Sequence, residues 1–213
     1  MEKQHTHDRT DYSKRSLDQE DVGNDPMVLF ASWYKEVQES GATEPCAMTL
    51  STAGSVTISS RVVLLRSFDA HGFVFYSNYN SRKAMDMERS PHVALNFFWP
   101  DLERQVRIEG KVEQLETSIS DAYFASRPRE SQIAAWASDQ SRAAEDRKYV
   151  DDRFERWKER FAENEVPRPL HWGGYLVRPQ RIEFWQGRPN RLHDRIAFEH
   201  FADGSWVKVR LQP

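Results

Sequence analysis

The 213-residue chain predicts a mainly β domain with peripheral helices, an α+β arrangement built on an antiparallel sheet or barrel. Three observations carry that expectation. Between Ala47 and Leu115 apolar and polar residues alternate in five short runs, the period of a half-buried strand. The breaks between runs, at Gly54 and at Asp69-Ala70-His71-Gly72, are tight-turn signals, too short for the crossovers that a parallel sheet needs. Helical spacing is confined to segments before, between and after the runs, so helices cover a sheet rather than alternate with its strands.

Taken in order, the first 22 residues are polar and poor in core formers, which predicts a flexible N-terminal arm, with residues 23–213 as a single domain. Asp25-Pro26 reads as a helix cap followed by proline at the first helical position, and Leu29, Phe30, Trp33 and Val37 recur at helical spacing. M-T-L-S-T, V-T-I-S-S-R-V-V-L-L-R and G-F-V-F-Y-S follow as three strands. Ser81 to about Arg89 reads as a short helix, then His92–Phe98 and Arg104–Leu115 as two more strands. Ser118–Ser126 and Ser131–Ala137 read as short helices interrupted at Arg127-Pro128, because proline disfavours helix in the residue before it. Ala144 to Ala162 is a longer helix with a stripe of Val150, Phe154, Trp157 and Phe161. Val166-Pro167-Arg168-Pro169 is a stiff entry to the last segments, G-G-Y-L-V, R-I-E-F-W, R-L-H-D-R-I-A-F and S-W-V-K-V-R-L.

Bulk properties narrow the function classes. With 33 acidic and 30 basic residues the formal net charge is −3, which argues against nonspecific nucleic-acid or acidic-membrane binding. Cys46 is the only cysteine, so an intramolecular disulfide and a multi-cysteine zinc site are excluded; His5 and His7 read as solvated, and no metal is expected. No run has the length of a membrane span and the N-terminus lacks the apolar stretch of a secretory signal, so the expectation is a cytoplasmic protein.

The residues that carry chemistry are basic and local. In Glu183–Arg195, E-F-W-Q-G-R-P-N-R-L-H-D-R, an extended backbone would place Arg191, His193 and Arg195 on one face, where an anion could be held by charge-assisted hydrogen bonds. The same residues would equally suit an exposed edge strand. Arg61 and Arg66 flank V-V-L-L and, five positions apart, would fall on opposite faces of a regular strand, so that one strand serves two neighbouring sites. Ser81-Arg82-Lys83 sits at a strand-to-helix junction, where free N–H groups and cations suit a phosphate. Tyr123, Arg127 and Ser131 gather a phenol, a guanidinium and a hydroxyl near a second candidate anion site. Gln105 and Gln140-Ser141 could read the edge of a planar heterocycle, with Trp185 stacked or packed beside it. There is no G-x-G-x-x-G, P-loop, G-x-S-x-G or H-E-x-x-H.

Six motifs in order, R-V-V-L-L-R, F-Y-S-N-Y-N-S-R-K-A, E-R-Q-V-R-I-E-G, Y-F-A-S-R-P-R-E-S-Q-I-A-A-W-A-S-D-Q-S, H-W-G-G-Y and E-F-W-Q-G-R-P-N-R-L-H-D-R, resemble the pyridoxamine 5′-phosphate oxidase family from about Tyr12 to Pro213. The resemblance implies a split β-barrel with FMN at a homodimer interface. It implies an oxidase that makes pyridoxal 5′-phosphate from pyridoxamine or pyridoxine 5′-phosphate, passing a hydride to flavin N5, with O2 reoxidising the flavin to give H2O2. Carried over by position, it implies that Arg61, Val62, Val63, Leu64, Leu65, Arg66, Tyr76, Ser77, Arg82, Lys83, Gln105, Gln140, Ser141, Trp185 and Arg195 bind FMN. Arg66, Tyr123, Arg127 and Ser131 would hold the substrate phosphate, Arg191 and His193 would lie over the substrate ring as the catalytic pair, and Arg9 and Tyr12 would belong to a lid. The chain departs from the family pattern at Arg66, where lysine is usual, at Ile58, near which proline is frequent, and in its terminal R-L-Q-P in place of R-L-A-P. The alternatives are a phenazine-biosynthesis flavin oxidase of the same fold and a flavin- or pyridoxal-phosphate-binding protein with little turnover.

Overall fold

The computed structural model describes residues 11–213, and Arg9 of the expected lid lies outside them. Fourteen principal elements follow one another as α1 (Pro26–Glu39), β1 (Ala47–Ala53), β2 (Ile58–Leu64), β3 (Ser67–Asp69), β4 (Gly72–Asn78), α2 (Arg82–Arg89), β5 (His92–Trp99), β6 (Arg104–Gln114), α3 (Thr117–Ala125), α4 (Arg129–Ala137), α5 (Arg147–Phe161), β7 (Trp172–Gln186), β8 (Asp194–His200) and β9 (Trp206–Leu211). The strands hydrogen-bond in the order β2-β1-β5-β6-β7-β4-β3, with β8 joining β7 to β9. The pairings β1–β2, β3–β4, β4–β7, β7–β8 and β8–β9 are antiparallel, as the short connections require.

Two details differ from the sequence expectation. The region 47–78 holds four strands rather than three, because Leu65 and Arg66 break the run after β2 and Ser67–Asp69 turns back onto β4. G-G-Y-L-V and R-I-E-F-W are not two strands but one of 15 residues, β7. Its first part, Trp172–Val177, pairs with β4, and its last part, Arg181–Gln186, pairs with β8. Pro179 falls between the two pairings, where the missing N–H costs neither ladder a bond.

The described residues form two compact units, and β5, β6 and β7 each run through both. The middle unit comprises Cys46–Leu95 and Gly110–Pro179. Its sheet buries Met48, Leu50, Phe73, Phe75 and Val177. A second cluster of Phe124, Ile133, Ala135, Val166 and Trp172 is covered by Tyr123, Trp136, Phe154, Trp157 and Phe161. Three residues of the α5 stripe thus pack as expected, whereas Val150 is 44% exposed. Asp146 caps α5 by accepting from the Tyr149 N–H at 2.7 Å, which sets the helix start three residues later than the apolar pattern suggests.

The terminal unit comprises the described part of Met1–Pro45 with Asn96–Glu109 and Gln180–Pro213. Here α1, capped by Asp25 on the Met27 N–H at 2.8 Å, buries Phe30, Trp33 and Val37. Trp33 meets Phe184 edge-on at 5.2 Å and Phe30 tilts against Phe97 at 5.2 Å. Residues 12–22, which offer few core formers, are tied down by polar bonds instead. The Lys14 N–H donates to Glu103, the Leu17 N–H to Asp194, and the Arg210 and Lys208 side chains to the carbonyls of Leu17 and Gln19. Among the described residues no helix is long and apolar enough to cross a membrane.

Candidate active site

A cavity of about 760 Å³ opens in the middle unit, walled by β2, β4, the start of α2, the α3–α4 turn and the segment after α4. The alternation of β2 turns Arg61 inward while Val62 stays 67% exposed. Arg61 donates through Nη1 to Thr52 Oγ1 at 2.8 Å and to the Leu50 carbonyl at 3.3 Å, and through Nη2 to Ser59 Oγ at 2.8 Å. Asp86 Oδ2 lies 3.9 Å from Nη2. Arg66 does not occupy the opposite face of the same strand. β2 ends at Leu64, Leu65 bonds to the Cys46 carbonyl and Arg66 to that of Val74, and this bend lets Arg61 and Arg66 line one cavity. The Leu65 side chain points into the core and is 4% exposed.

Arg82 and Lys83 begin α2 after a three-residue turn, Tyr79 to Ser81, that follows β4, the strand-to-helix junction that the sequence suggests. The Lys83 ammonium is held by neutral oxygens: Gln140 Oε1 at 2.7 Å, Ser77 Oγ at 3.0 Å and Ser81 Oγ at 3.1 Å. Burial, aided by the neighbouring Arg61, pushes its pKa down to about 8. Gln140 therefore fixes a cation, a use that its amide alone did not reveal. Ser141 lines the cavity next to it in the left-handed region, φ 70°.

The second cationic group comes from the α3–α4 turn. Arg127 lies over the Trp172 ring at 4.5 Å and the Phe124 ring at 5.5 Å, and its buried Nη1 has no hydrogen-bond partner. Burial and the nearby Arg66 lower its pKa, the response of a cation lacking a counter-charge. Tyr123 stacks on Tyr76 at 3.8 Å, and both rings lie nearly parallel to Trp172. Burial, with Tyr123 adjacent, raises the Tyr76 pKa, so its phenol stays protonated at neutral pH. Ser131 stands in the first turn of α4, away from the cavity wall, and Pro128 rather than Ser131 precedes the helix. Trp172, quoted in H-W-G-G-Y without a role, turns out to be the platform under Arg127.

The other expected site residues belong to the terminal unit. Arg191, His193 and Arg195 are not three alternate residues of one strand. Pro189–Arg191 forms a 3-10 turn in which Asn190 and Arg191 have φ of 57° and 63°, and β8 starts only at Asp194. Proline followed by asparagine, which tolerates the left-handed region, explains the turn. It leaves Arg191 exposed while His193 packs against Trp185 at 4.7 Å. Tyr12 closes on both rings, 5.6 Å from Trp185 and 5.9 Å from His193. Gly187 makes this approach possible, since a Cβ there would come within 2.6 Å of Tyr12 Cγ. The Arg188 N–H donates to His193 Nδ1 at 3.1 Å, so the neutral ring carries its proton on Nε2. Burial and Arg191 both lower the His193 pKa and favour that neutral form.

Arg195 pairs across β7–β8 with Trp185 and donates from Nε and Nη2 to the buried Glu183 carboxylate at 2.9 and 2.8 Å. Its Nη1 donates to the Gln212 carbonyl at 2.9 Å, a backbone contact, which explains why glutamine can stand in R-L-Q-P. Gln105 is half-buried on β6. Among the described residues no group of three or more His, Cys, Asp or Glu side chains is placed to hold a metal.

Comparison with known proteins covers most of the chain. Residues 35–161 match the pyridoxamine 5′-phosphate oxidase family model and residues 172–213 match the pyridoxine 5′-phosphate oxidase C-terminal dimerisation region. The pyridoxine/pyridoxamine 5′-phosphate oxidase of Cupriavidus metallidurans is 50% identical over 96% of this chain and 97% of its own length, and that of Leptospira interrogans is 49% identical over 96% of each. Among solved structures, PhzG from Burkholderia lata, in complex with tetrahydrophenazine-1-carboxylic acid, superposes with a TM-score of 0.86 at 29% identity, covering 91% of this chain and 95% of its own. A pyridoxamine 5′-phosphate oxidase-related, FMN-binding protein from Nostoc punctiforme shares the fold, with a TM-score of 0.69 at 12% identity over 86% and 95% of the two chains. The split-barrel fold, the family match over more than half of the sequence and the near-full-length relatives lead to one conclusion: the chain belongs to the pyridoxamine 5′-phosphate oxidase family.

Proposed function

We propose that this chain is an FMN-dependent oxidase that converts pyridoxamine 5′-phosphate, pyridoxine 5′-phosphate or both to pyridoxal 5′-phosphate. The observation that carries the reading is a cavity with two sets of under-compensated cations: Arg61, Arg82 and Lys83 in one, and Arg127, with its unpartnered Nη1, beside Arg66 in the other. Two phosphates, one on the flavin and one on the substrate, supply the missing charge.

The residues present fit FMN. Arg61, Arg82 and Lys83, with Tyr76 and Ser77, would hold its phosphate, and Gln140, Ser141 and the segment Val62 to Leu64 its remaining parts; Gln105, Trp185 and Arg195, the other contacts that the family resemblance implies, belong to the terminal unit. Bound FMN supplies the two-electron acceptor, which dioxygen restores with release of hydrogen peroxide. Arg66, Tyr123 and Arg127 would bind the substrate phosphate and so fix the ring's position, whereas Ser131, the fourth residue expected there, does not line the cavity. The guanidinium at residue 66 presents a planar fork where the family's lysine presents a point charge, and it keeps the cation. His193, with Nδ1 occupied by the Arg188 N–H, offers a ligand only its Nε2–H, so it acts as a donor that orients the substrate rather than as a base. Arg191, exposed beside it, adds positive charge. Tyr12, seated on Trp185 and His193, supports a lid role for residues 12–22 that excludes water.

The match of residues 172–213 to a dimerisation region supports a homodimer, with FMN at the interface as part of the same reading. A cytoplasmic setting also belongs to it, since phosphorylated ligands do not cross membranes unaided. The likeness to PhzG favours a second reading, oxidation of a reduced phenazine carboxylic acid, because Arg127 could receive a carboxylate.

Anaerobic mixing of the FMN-loaded protein with pyridoxamine 5′-phosphate tests the first reading. The visible flavin band is expected to bleach, with pyridoxal 5′-phosphate formed and colour restored by air. Bleaching by a tetrahydrophenazine carboxylic acid alone would favour the second reading, and no bleaching by either would leave a binding protein.

A further inference from the structure

Behind Arg61 stands a pair of residues that the family comparison does not single out. Thr52 on β1 and Asp86 on α2 are 1% and 6% exposed, and Asp86 is on the same short helix that presents Arg82 and Lys83. Thr52 Oγ1 lies 2.9 Å from Asp86 Oδ2 and 2.8 Å from Arg61 Nη1. A hydroxyl has one proton and two lone pairs. Arg61 can only donate and the carboxylate accepts, so the Thr52 proton goes to Asp86 and a lone pair faces the guanidinium. The competing acceptor, the Ser59 carbonyl, is farther away at 3.4 Å. Asp86 thereby fixes the hydroxyl rotor, and the hydroxyl fixes Arg61. Its other partners are the Leu50 carbonyl and the Ser59 hydroxyl, with the Asp86 carboxylate itself at 3.9 Å. The sequence is adapted to the pair: a Cβ at Gly54 would come 3.1 Å from Asp86 Oδ1 and 3.2 Å from the Thr57 carbonyl.

We infer that Asp86 and Thr52 form a positioning relay that orients Arg61 toward the flavin phosphate, so that the relay sets the affinity for FMN without touching it. The inference rests on the assignment of Arg61 to that phosphate. Two roles for Asp86 can be told apart by sign. A carboxylate that merely neutralises the cation cradle opposes phosphate binding, and its removal would tighten FMN. A carboxylate that holds the relay supports binding, and its removal weakens FMN.

The test is titration of the full-length, flavin-free protein with FMN and, separately, with riboflavin, which lacks the phosphate, followed by quenching of flavin fluorescence. Loss of a hydrogen bond to a charged group predicts that Thr52→Val raises the dissociation constant for FMN about tenfold and leaves that for riboflavin within about twofold. Thr52→Ser, which keeps the hydroxyl, is expected to bind FMN like the unaltered protein, and Asp86→Ala to weaken FMN in the same selective way. Equal weakening of both flavins by Thr52→Val would mean a merely structural role, and tighter FMN binding by Asp86→Ala would mean charge neutralisation; either result overturns the relay. Arg61→Ala separates the levels. If it leaves the preference for FMN over riboflavin intact, the phosphate assignment fails and the relay with it. If Arg61→Ala loses that preference while Thr52→Val retains it, only the relay fails.

Discussion

The buried cations of the terminal unit and two in the middle unit's cavity, Lys83 and Arg127, are held in opposite ways, whereas Arg168, elsewhere in the middle unit, pairs with Asp121 at 2.6 Å. In the terminal unit each buried or half-buried arginine already faces a carboxylate. Arg104, over the Trp33 ring, pairs with Glu36 at 3.0 Å, while Arg195, Arg181 and Arg107 converge on Glu183 at 2.8, 3.3 and 3.5 Å. In the middle unit Lys83 meets hydroxyls and an amide oxygen, and Arg127 meets aromatic faces and leaves Nη1 unpartnered. The first arrangement is self-neutralised and holds its side chains in place whether or not a ligand is present. The second has no such counter-charge, so under the function proposed above it trades stability of the empty protein for affinity. Substitutions in the two regions should therefore move stability and ligand binding in different combinations.

The largest expected effect is at Glu183. Its side chain is 2% exposed, and its loss would leave three guanidinium groups with only the more exposed Glu109 and Glu199 as counter-charges. Glu183→Gln keeps the volume and removes the charge, so it should lower the unfolding free energy by about 3 kcal/mol, the range for breaking a buried ion pair from one side. Urea denaturation would show this as a fall in the midpoint at constant slope. An unchanged midpoint would mean that the cluster is not the neutralised anchor that the comparison requires.

At Arg127 the reverse is expected. Arg127→Leu removes a buried cation without a carboxylate partner, so the empty protein should lose no stability, while binding of the phosphorylated substrate should weaken about a hundredfold, the worth of two charge-assisted hydrogen bonds. The KM for pyridoxamine 5′-phosphate and the thermal midpoint of the ligand-free protein give the two numbers. A fall in both would show that Arg127 is structural after all.

How much of this was legible in the sequence follows from what each feature depends on. The helices and most strands rest on local periodicity and turn chemistry, so α1, α2 and β4 to β6 fall where the pattern puts them. The long β7 was not legible, because a proline between two apolar runs reads as a break until two different partner strands are seen to share the segment. The site divides in the same manner. Arg61, Arg82, Lys83 and Arg127 stand out by charge and motif. Arg191 and His193 stand out too, but their geometry was misjudged because Asn190 and Arg191 take a left-handed turn that alternation cannot express. Asp86 and Thr52 carried no signal at all: an aspartate inside a charged helix and a threonine within a strand acquire meaning only when 34 positions of chain bring them within 2.9 Å.

The smallest effect expected is a pH dependence, and it bears most directly on the middle unit. The Lys83 pKa in the empty protein is pushed down to about 8, below the ordinary lysine value of 10.5, with burial as the main cause and Arg61 as the second. A lysine whose folded pKa lies below its unfolded one is bound to more protons when unfolded between those two values. Stability of the flavin-free protein from this group therefore rises with pH across the window from about 8 to 10.5. Flavin binding runs the other way, because an anion beside Lys83 favours its charged form and raises its pKa in the complex. The contribution of Lys83 to FMN affinity should be flat between about pH 7, above the second ionisation of the phosphate, and about pH 8. It should fall as pH rises further, since the free protein must then take up a proton to bind. Riboflavin, without the phosphate, should show little of this slope. In Lys83→Met the FMN profile should flatten over the same window, with weaker binding at pH 7. A persistent slope above pH 8 in that variant would assign the titration to another group and would remove Lys83 from the set of cations that wait for an anion.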